Sequence, residues 1–204
     1  MTPGRRPARL AVMAATVALG LFACSPAAIS IPPSSAASGP SPSQAPPATS
    51  GQPVSAVAVD PSLLAVLPGT VAGIELIESP EAERTALAGP ELVAVGSAMA
   101  AGIAFDAPTG EFVYAVVIRL KPGAMNDGVF RDWRDSYDEG ACSQADGVAG
   151  SAETQLGGRT VFTGTCTGGL RTYHVWLEAQ GILVSASAVG ERRLGEQLMH
   201  DLRP

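Results

Sequence analysis

Lysine, histidine, cysteine and aromatic residues are all scarce in this chain. Lys121 is the only lysine, His174 and His200 are the only histidines, and there are three cysteines in 204 residues. Aromatic residues make up 5%. A metal centre needs three or four ligands at suitable spacing, and no H-x-x-x-H, H-E-x-x-H or calcium-loop pattern is present. Asp127, Asp132, Asp135, Asp138 and Glu139 form an acidic cluster, but Arg131 and Arg134 are interleaved and neutralise much of it. No G-x-S-x-G nucleophile elbow, G-x-G-x-x-G after a strand, or P-loop occurs. The glycine pair of CTGGL lies between strand-like runs, with no helix behind it on which a phosphate could rest. No catalytic residue, metal or cofactor is therefore assigned. Paired carboxylates brought together by the fold stay open as a hydrolytic device, although so few aromatics argue against a sugar-stacking cleft.

Charge narrows the partners. The formal net charge is −6, and Arg5, Arg6 and Arg9 stand in the N-terminal segment. Without them the remainder is more acidic still. Such a surface repels phosphate backbones, so no nucleic-acid partner is expected. It also repels anionic headgroups, so membrane attachment would need something other than a basic patch.

The N-terminus supplies one. Residues 1–9, MTPGRRPAR, are basic, and residues 10–22, LAVMAATVALGLF, are uncharged and apolar. This is the layout of a secretory signal. The run is too short to span a ~30 Å hydrocarbon core as a helix. It ends in Leu21-Phe22-Ala23-Cys24. That ending resembles the lipobox of bacterial lipoproteins, with a bulkier residue, Phe22, where a smaller one is usual. The resemblance covers residues 1–24 only. It implies cleavage before Cys24, a diacylglyceryl thioether on its sulfur, and a domain outside the cytoplasm anchored to the cell membrane. Two buried acyl chains suffice for stable anchoring.

Cysteine arithmetic agrees. An exported chain with an odd cysteine count has a thiol to explain. Cys142 and Cys166 can pair in an oxidising compartment, which leaves Cys24 for the lipid. The plainer alternative is an ordinary secretory signal with an incidental Cys24.

Residues 25–53 carry no charge and consist almost entirely of Pro, Ser, Ala, Gly and Thr. With Cys24 they form a 24–53 segment that reads as a disordered tether. As flexible coil it would reach ~30 Å, and as extended polyproline ~90 Å. Residues 54–204 make one domain, large enough for a proper core.

Within that domain Asp60-Pro61 opens a short helical turn that stops at Pro68-Gly69, and VAGIELIE (71–78) suits one strand. Ser79-Pro80-Glu81 opens a helix by capping, a proline at its first position and acids in its first turn. It breaks at Gly89-Pro90 and is expected to resume through ELVAVGSAMAAGIAF (91–105). EFVYAVVIRL (111–120) is apolar on both faces and reads as a central strand. A helix follows Asn126, with Phe130, Trp133, Tyr137 and Ala141 on one side and the pairs Asp127–Arg131, Arg131–Asp135 and Arg134–Asp138 on the other. Strands are expected at 152–156 and 159–166 around Gly157-Gly158, and at 171–178 and 182–188 around Gln180-Gly181. A last helix carries Leu194, Leu198 and Leu202 on one face. The expected fold is α+β: a mostly antiparallel sheet of about five to six strands, with helices packed on one face and a C-terminal helix.

On the 171–178 strand, Thr172, His174, Trp176 and Glu178 share one side. A His174–Trp176–Glu178 stripe can line a ligand groove or form the ordinary solvent side of a sheet. The functional expectation is a membrane-tethered extracytoplasmic lipoprotein, non-enzymatic, that binds a small apolar ligand or another envelope protein. The alternatives are an extracytoplasmic hydrolase using carboxylates, and a structural or assembly accessory protein of the envelope.

Overall fold

A computed structural model describes residues 57–203. The signal segment, Cys24 and the tether lie outside the described residues. The chain runs through β1 (Ala58–Val59), a 3-10 turn (Pro61–Val66), β2 (Thr70–Val71), β3 (Ile74–Glu75), β4 (Ile77–Glu78), α1 (Pro80–Leu87) and α2 (Pro90–Val95). There follow β5 (Gly96–Asp106), β6 (Glu111–Leu120), α3 (Asp127–Cys142), β7 (Val148–Leu156), β8 (Arg159–Cys166), β9 (Arg171–Leu177), β10 (Ile182–Val189) and α4 (Leu194–His200).

The domain is α+β, as expected, but its sheet is larger. Eight strands join in the order β1-β5-β6-β10-β9-β8-β7, with β4 pairing the same edge of β5 that holds β1. All pairings are antiparallel except β1 with β5. The two-faced apolar pattern of 111–120 fits its place, since β6 lies between β5 and β10. Both glycines of the β7–β8 turn have positive φ, as a two-residue hairpin of this kind requires.

Helices cover both faces of the sheet, not one. Alternate residues of β5, β6, β9 and β10 point to opposite sides, and both sets are largely buried, the second set of β9 and β10 including Thr172, His174, Ser185 and Ser187. Ala100, Val117, Val175 and Val184 pack with Leu63 and Leu67 of the 3-10 turn and its end, and with Leu194, Leu198 and Met199 of α4. Met99, Ala101, Ile118 and Leu183 pack on the other side with Leu92 of α2 and Phe130 of α3, and α1 adds Ala82 and Ala86. A strand buried on both faces needs a layer on each, so a one-sided arrangement would have left one apolar face in water.

Two local expectations are corrected. The 91–105 segment is helical only to Val95, and Gly96–Asp106 is a strand. Its alanines favour helix by intrinsic propensity, yet pairing with β6 along ten register positions overrides that preference. Its small side chains also let neighbours close in: a Cβ at Gly102 would stand 2.6 Å from Cδ2 of Leu76. The 71–78 segment is not one strand. It turns back at Ala72-Gly73, both with positive φ, and splits into β2, β3 and β4.

The final helix shows the expected face with Leu194 and Leu198 buried, and Leu202, just past its end at His200, is buried as well. Gly195 lets it sit against the fully buried Tyr173, whose Cε2 would be 2.1 Å from an added Cβ. Cys142 at the end of α3 is joined by a disulfide to Cys166 at the end of β8, with Cα atoms 5.1 Å apart and a sequence separation of 24. The bridge ties the helix to the sheet.

Two stability measurements follow from this packing. Gly195→Ala gains ~1 kcal/mol of helix propensity but meets a buried ring that cannot move, an overpacking cost of ~1–3 kcal/mol. A net lower thermal midpoint is expected, and an unchanged or higher one would contradict the close packing of α4. Replacing both Cys142 and Cys166 by alanine should cost ~3–4 kcal/mol in urea denaturation, from the loop closed by the bridge.

Candidate functional site

The helix α3 organises this side of the molecule. Asn126 caps it by accepting from the amides of Gly128 and Val129 at 2.9 and 3.1 Å. Phe130, Trp133 and Tyr137 recur at spacings of three and four, so they project together toward the sheet. Phe130 meets Phe162 of β8 edge-on, with centroids 5.5 Å apart, and Trp176 of β9 at 6.2 Å. Arg134 lies over the Phe162 ring, its Cζ 3.8 Å from the centroid.

Beneath α3 runs a connected line of polar side chains. His174 and Ser185 are cross-strand partners on β9 and β10, and so are Thr172 and Ser187. His174 is 1% exposed and Ser185 fully buried. The Trp133 indole N–H donates to Ser185 Oγ at 2.9 Å, and Ser185 bonds His174 Nδ1 at 2.9 Å. His174 Nε2 in turn bonds Asp138 Oδ1 at 2.9 Å. Thr172 Oγ1 also donates to Asp138, at 2.5 Å, while accepting from the Gly164 amide. Every bond is satisfied by one assignment: a neutral imidazole that donates from Nε2 to the carboxylate and accepts at Nδ1 from the serine hydroxyl. Burial pushes the His174 pKa down, against the pull of Asp138, which favours that neutral form. The hydrogen bonds from His174 and Thr172 outweigh burial at Asp138 and hold its carboxyl below the ordinary range. Tyr137 closes the line from above, its ring edge-on to His174 at 5.0 Å and its hydroxyl 3.2 Å from Ser187 Oγ.

Asp138 was expected in an outer ion pair with Arg134. It points inward instead, because an unpaired imidazole and threonine beneath α3 would each carry a desolvation cost. Acid, imidazole and hydroxyl stand in the order used for nucleophilic catalysis. Ser185 Oγ, however, is enclosed, engaged by both Trp133 and His174, and has no surface to offer a substrate. The line acts as a brace between helix and sheet.

Two cavities flank α3. The larger, about 470 Å³, lies between α1, α2, α3 and the sheet. Trp133, Tyr137, Tyr114, Phe112, Leu92 and Val116 are among its apolar and aromatic lining, and Thr85, Glu91, Ser136, Ser187 and the tyrosine hydroxyls are its polar groups. The smaller, about 260 Å³, lies on the other side of the helix and is polar. Arg134, Asp135 and Asp138 face Glu153, Thr163 and His174 there.

The structure separates the sequence-selected stripe. His174 forms part of the polar cleft and supports Tyr137. Trp176 packs in the aromatic cluster with Phe130. Glu178 is exposed at the start of a 3-10 turn, beyond the end of β9. The lining residues Trp133 and Tyr137 are legible in the sequence as the inner side of α3, while Tyr114 and Ser187 reach the cavity through strand pairing. The available signal was the pair of serines at a spacing of two inside the otherwise apolar ILVSASA run. Among the described residues, no three His, Cys, Asp or Glu side chains are placed to hold a metal ion, and no helix is long and apolar enough to cross a membrane.

Comparison with protein-family models, curated proteins and solved structures finds no match to this chain.

The buried imidazole makes stability depend on pH. With its folded pKa below the ordinary 6.5, His174 takes up a proton more readily in the unfolded chain. Its contribution is complete above that ordinary value and is lost as pH falls from it toward the folded value. Asp138 adds a second loss as pH falls below its ordinary 3.8. Urea midpoints should therefore fall from pH 7 to pH 5, and His174→Gln should flatten that slope. A wild-type midpoint that stays level or rises over that interval would sink the neutral assignment.

Proposed function

We propose that this domain is an extracytoplasmic carrier or receptor for a small apolar ligand, held at the cell membrane by acyl chains on Cys24. The observation that carries the binding reading is the 470 Å³ cavity with its largely apolar, aromatic wall. Ligand sites of this kind fall at ~300–1,000 Å³ and combine apolar walls with a few polar groups. The wall is also braced. The disulfide fixes one end of α3, and the Trp133–Ser185–His174–Asp138 line fixes its middle. A preformed cavity costs less ordering on binding than one that must assemble. The basic and apolar N-terminus, the lipobox-like Leu21–Cys24 and the charge-free tether support the location.

Binding can be read with N-phenyl-1-naphthylamine, a neutral apolar fluorophore. Saturable, one-to-one enhancement is expected, and Ala86→Trp, which fills the cavity from α1, should weaken it at least tenfold. A tighter or unaltered titration with a folded Ala86→Trp variant would remove the cavity as the site. For the anchor, intact mass of the natively produced protein should show a chain starting at Cys24 with added acyl mass. An unmodified chain in the medium would rule out the lipid anchor.

A further inference from the structure

The lining of the larger cavity carries one charge, and it is negative. Glu91 stands in the first turn of α2 and accepts a long hydrogen bond, 3.4 Å, from Ser136 of α3 across the opening. No Arg, Lys or His lines the cavity. Arg134, the nearest base along α3, belongs to the opposite stripe and is spent on Phe162 and Phe130. Some of the interior polar groups are engaged within the wall itself. The Trp133 N–H is committed to Ser185, and the hydroxyls of Tyr137 and Ser187 bond each other. Burial keeps the Tyr137 phenol neutral.

These facts rank three kinds of amphiphile. A carboxylate or phosphate head at the opening would face the exposed Glu91 carboxylate with no base in the lining to pair it, a repulsive placement. A neutral head gains only from its apolar body. A cationic head gains the same body plus two attractions, the Glu91 carboxylate and the aromatic rings of the wall. Trp133, Tyr114, Tyr137 and Phe112 supply four rings to one cavity, in a protein where aromatics are 5% of the chain. Aromatic walls with an adjacent carboxylate suit methylated ammonium groups, which are weakly hydrated and bind ring faces at ~0.5–2 kcal/mol per contact.

Building on the ligand-binding reading above, we infer that the cavity selects an amphiphile with a single apolar body and a cationic, methylated ammonium head, with Glu91 as the specificity-determining residue. The head sits at the opening between α2 and α3, and the body extends over Leu92 and Val116 toward the sheet.

Three ligands of matched chain length test this by titration calorimetry below their micelle concentrations: decyltrimethylammonium, decanol and decanoate. The full chain carrying Cys24→Ser is used, so that no acyl chain competes. Decyltrimethylammonium should bind at least tenfold tighter than decanol, and decanoate should be weakest. Glu91→Gln should cut the advantage of the cation over the alcohol at least threefold, and raising the salt concentration should cut it too. Decanol binding as tightly as the cation, or a cation advantage untouched by Glu91→Gln, overturns the assigned head group and leaves the apolar site standing. Failure of all three ligands to bind overturns the site itself.

Discussion

Strands β6 and β10 are buried on both faces, and this governs the rest of the domain. Val117 and Val184 look one way while Ile118 and Leu183 look the other, and all four are buried. Neither face can be left to water, at ~25 cal/mol per Å² of apolar surface. The chain meets the requirement from both its ends. The segment before β5 contributes the 3-10 turn to one face and α1 and α2 to the other, while α4 returns to the first face and α3, inserted between β6 and β7, covers the second.

The two coverings differ in kind. The α4 side is closed chiefly by apolar contact, with polar bonds such as Arg171–Glu196 at its rim, and the packing is tight enough that Gly195 must be bare. The α3 side is closed by contact at Phe130 and then by polar bonds further along, from Trp133 to Asp138. Polar bonds specify position and direction where apolar contact specifies only proximity, so they can hold a helix firmly without filling the space beside it. The larger cavity lies on this side, beside Trp133 and Tyr137, whose polar atoms are engaged with Ser185 and Ser187. Its wall is rigid at one side and lined at the opening by Glu91, which gives the proposed ligand site both a shape and a sign of charge.

The acid–imidazole–hydroxyl line shows how little a constellation means without access. Its members match a catalytic relay in type and order, yet the hydroxyl is enclosed and already engaged. The same groups that would activate a nucleophile at a surface here satisfy one another's desolvation. Their work is to fix register between β9, β10 and α3.

Sequence alone determined what depends on neighbours along the chain. Helix openings at Asp60, Ser79 and Asn126 follow from a side-chain oxygen next to free amides, and the hairpin at Gly157-Gly158 from a turn only glycine enters easily. The periodic faces of α3, β6, β9 and α4 were readable for the same reason. What the sequence could not reveal was which faces would meet. The 96–106 segment is helix by its alanines and strand by its partner; Asp138 is solvent-facing by its charge pattern and buried by the two hydroxyl and imidazole groups waiting under it. The second helical layer and the cavity between α2, α3 and the sheet arise from contacts between residues far apart in the chain. Local chemistry sets which conformations a segment can adopt, but only the burial of distant surfaces chooses among them.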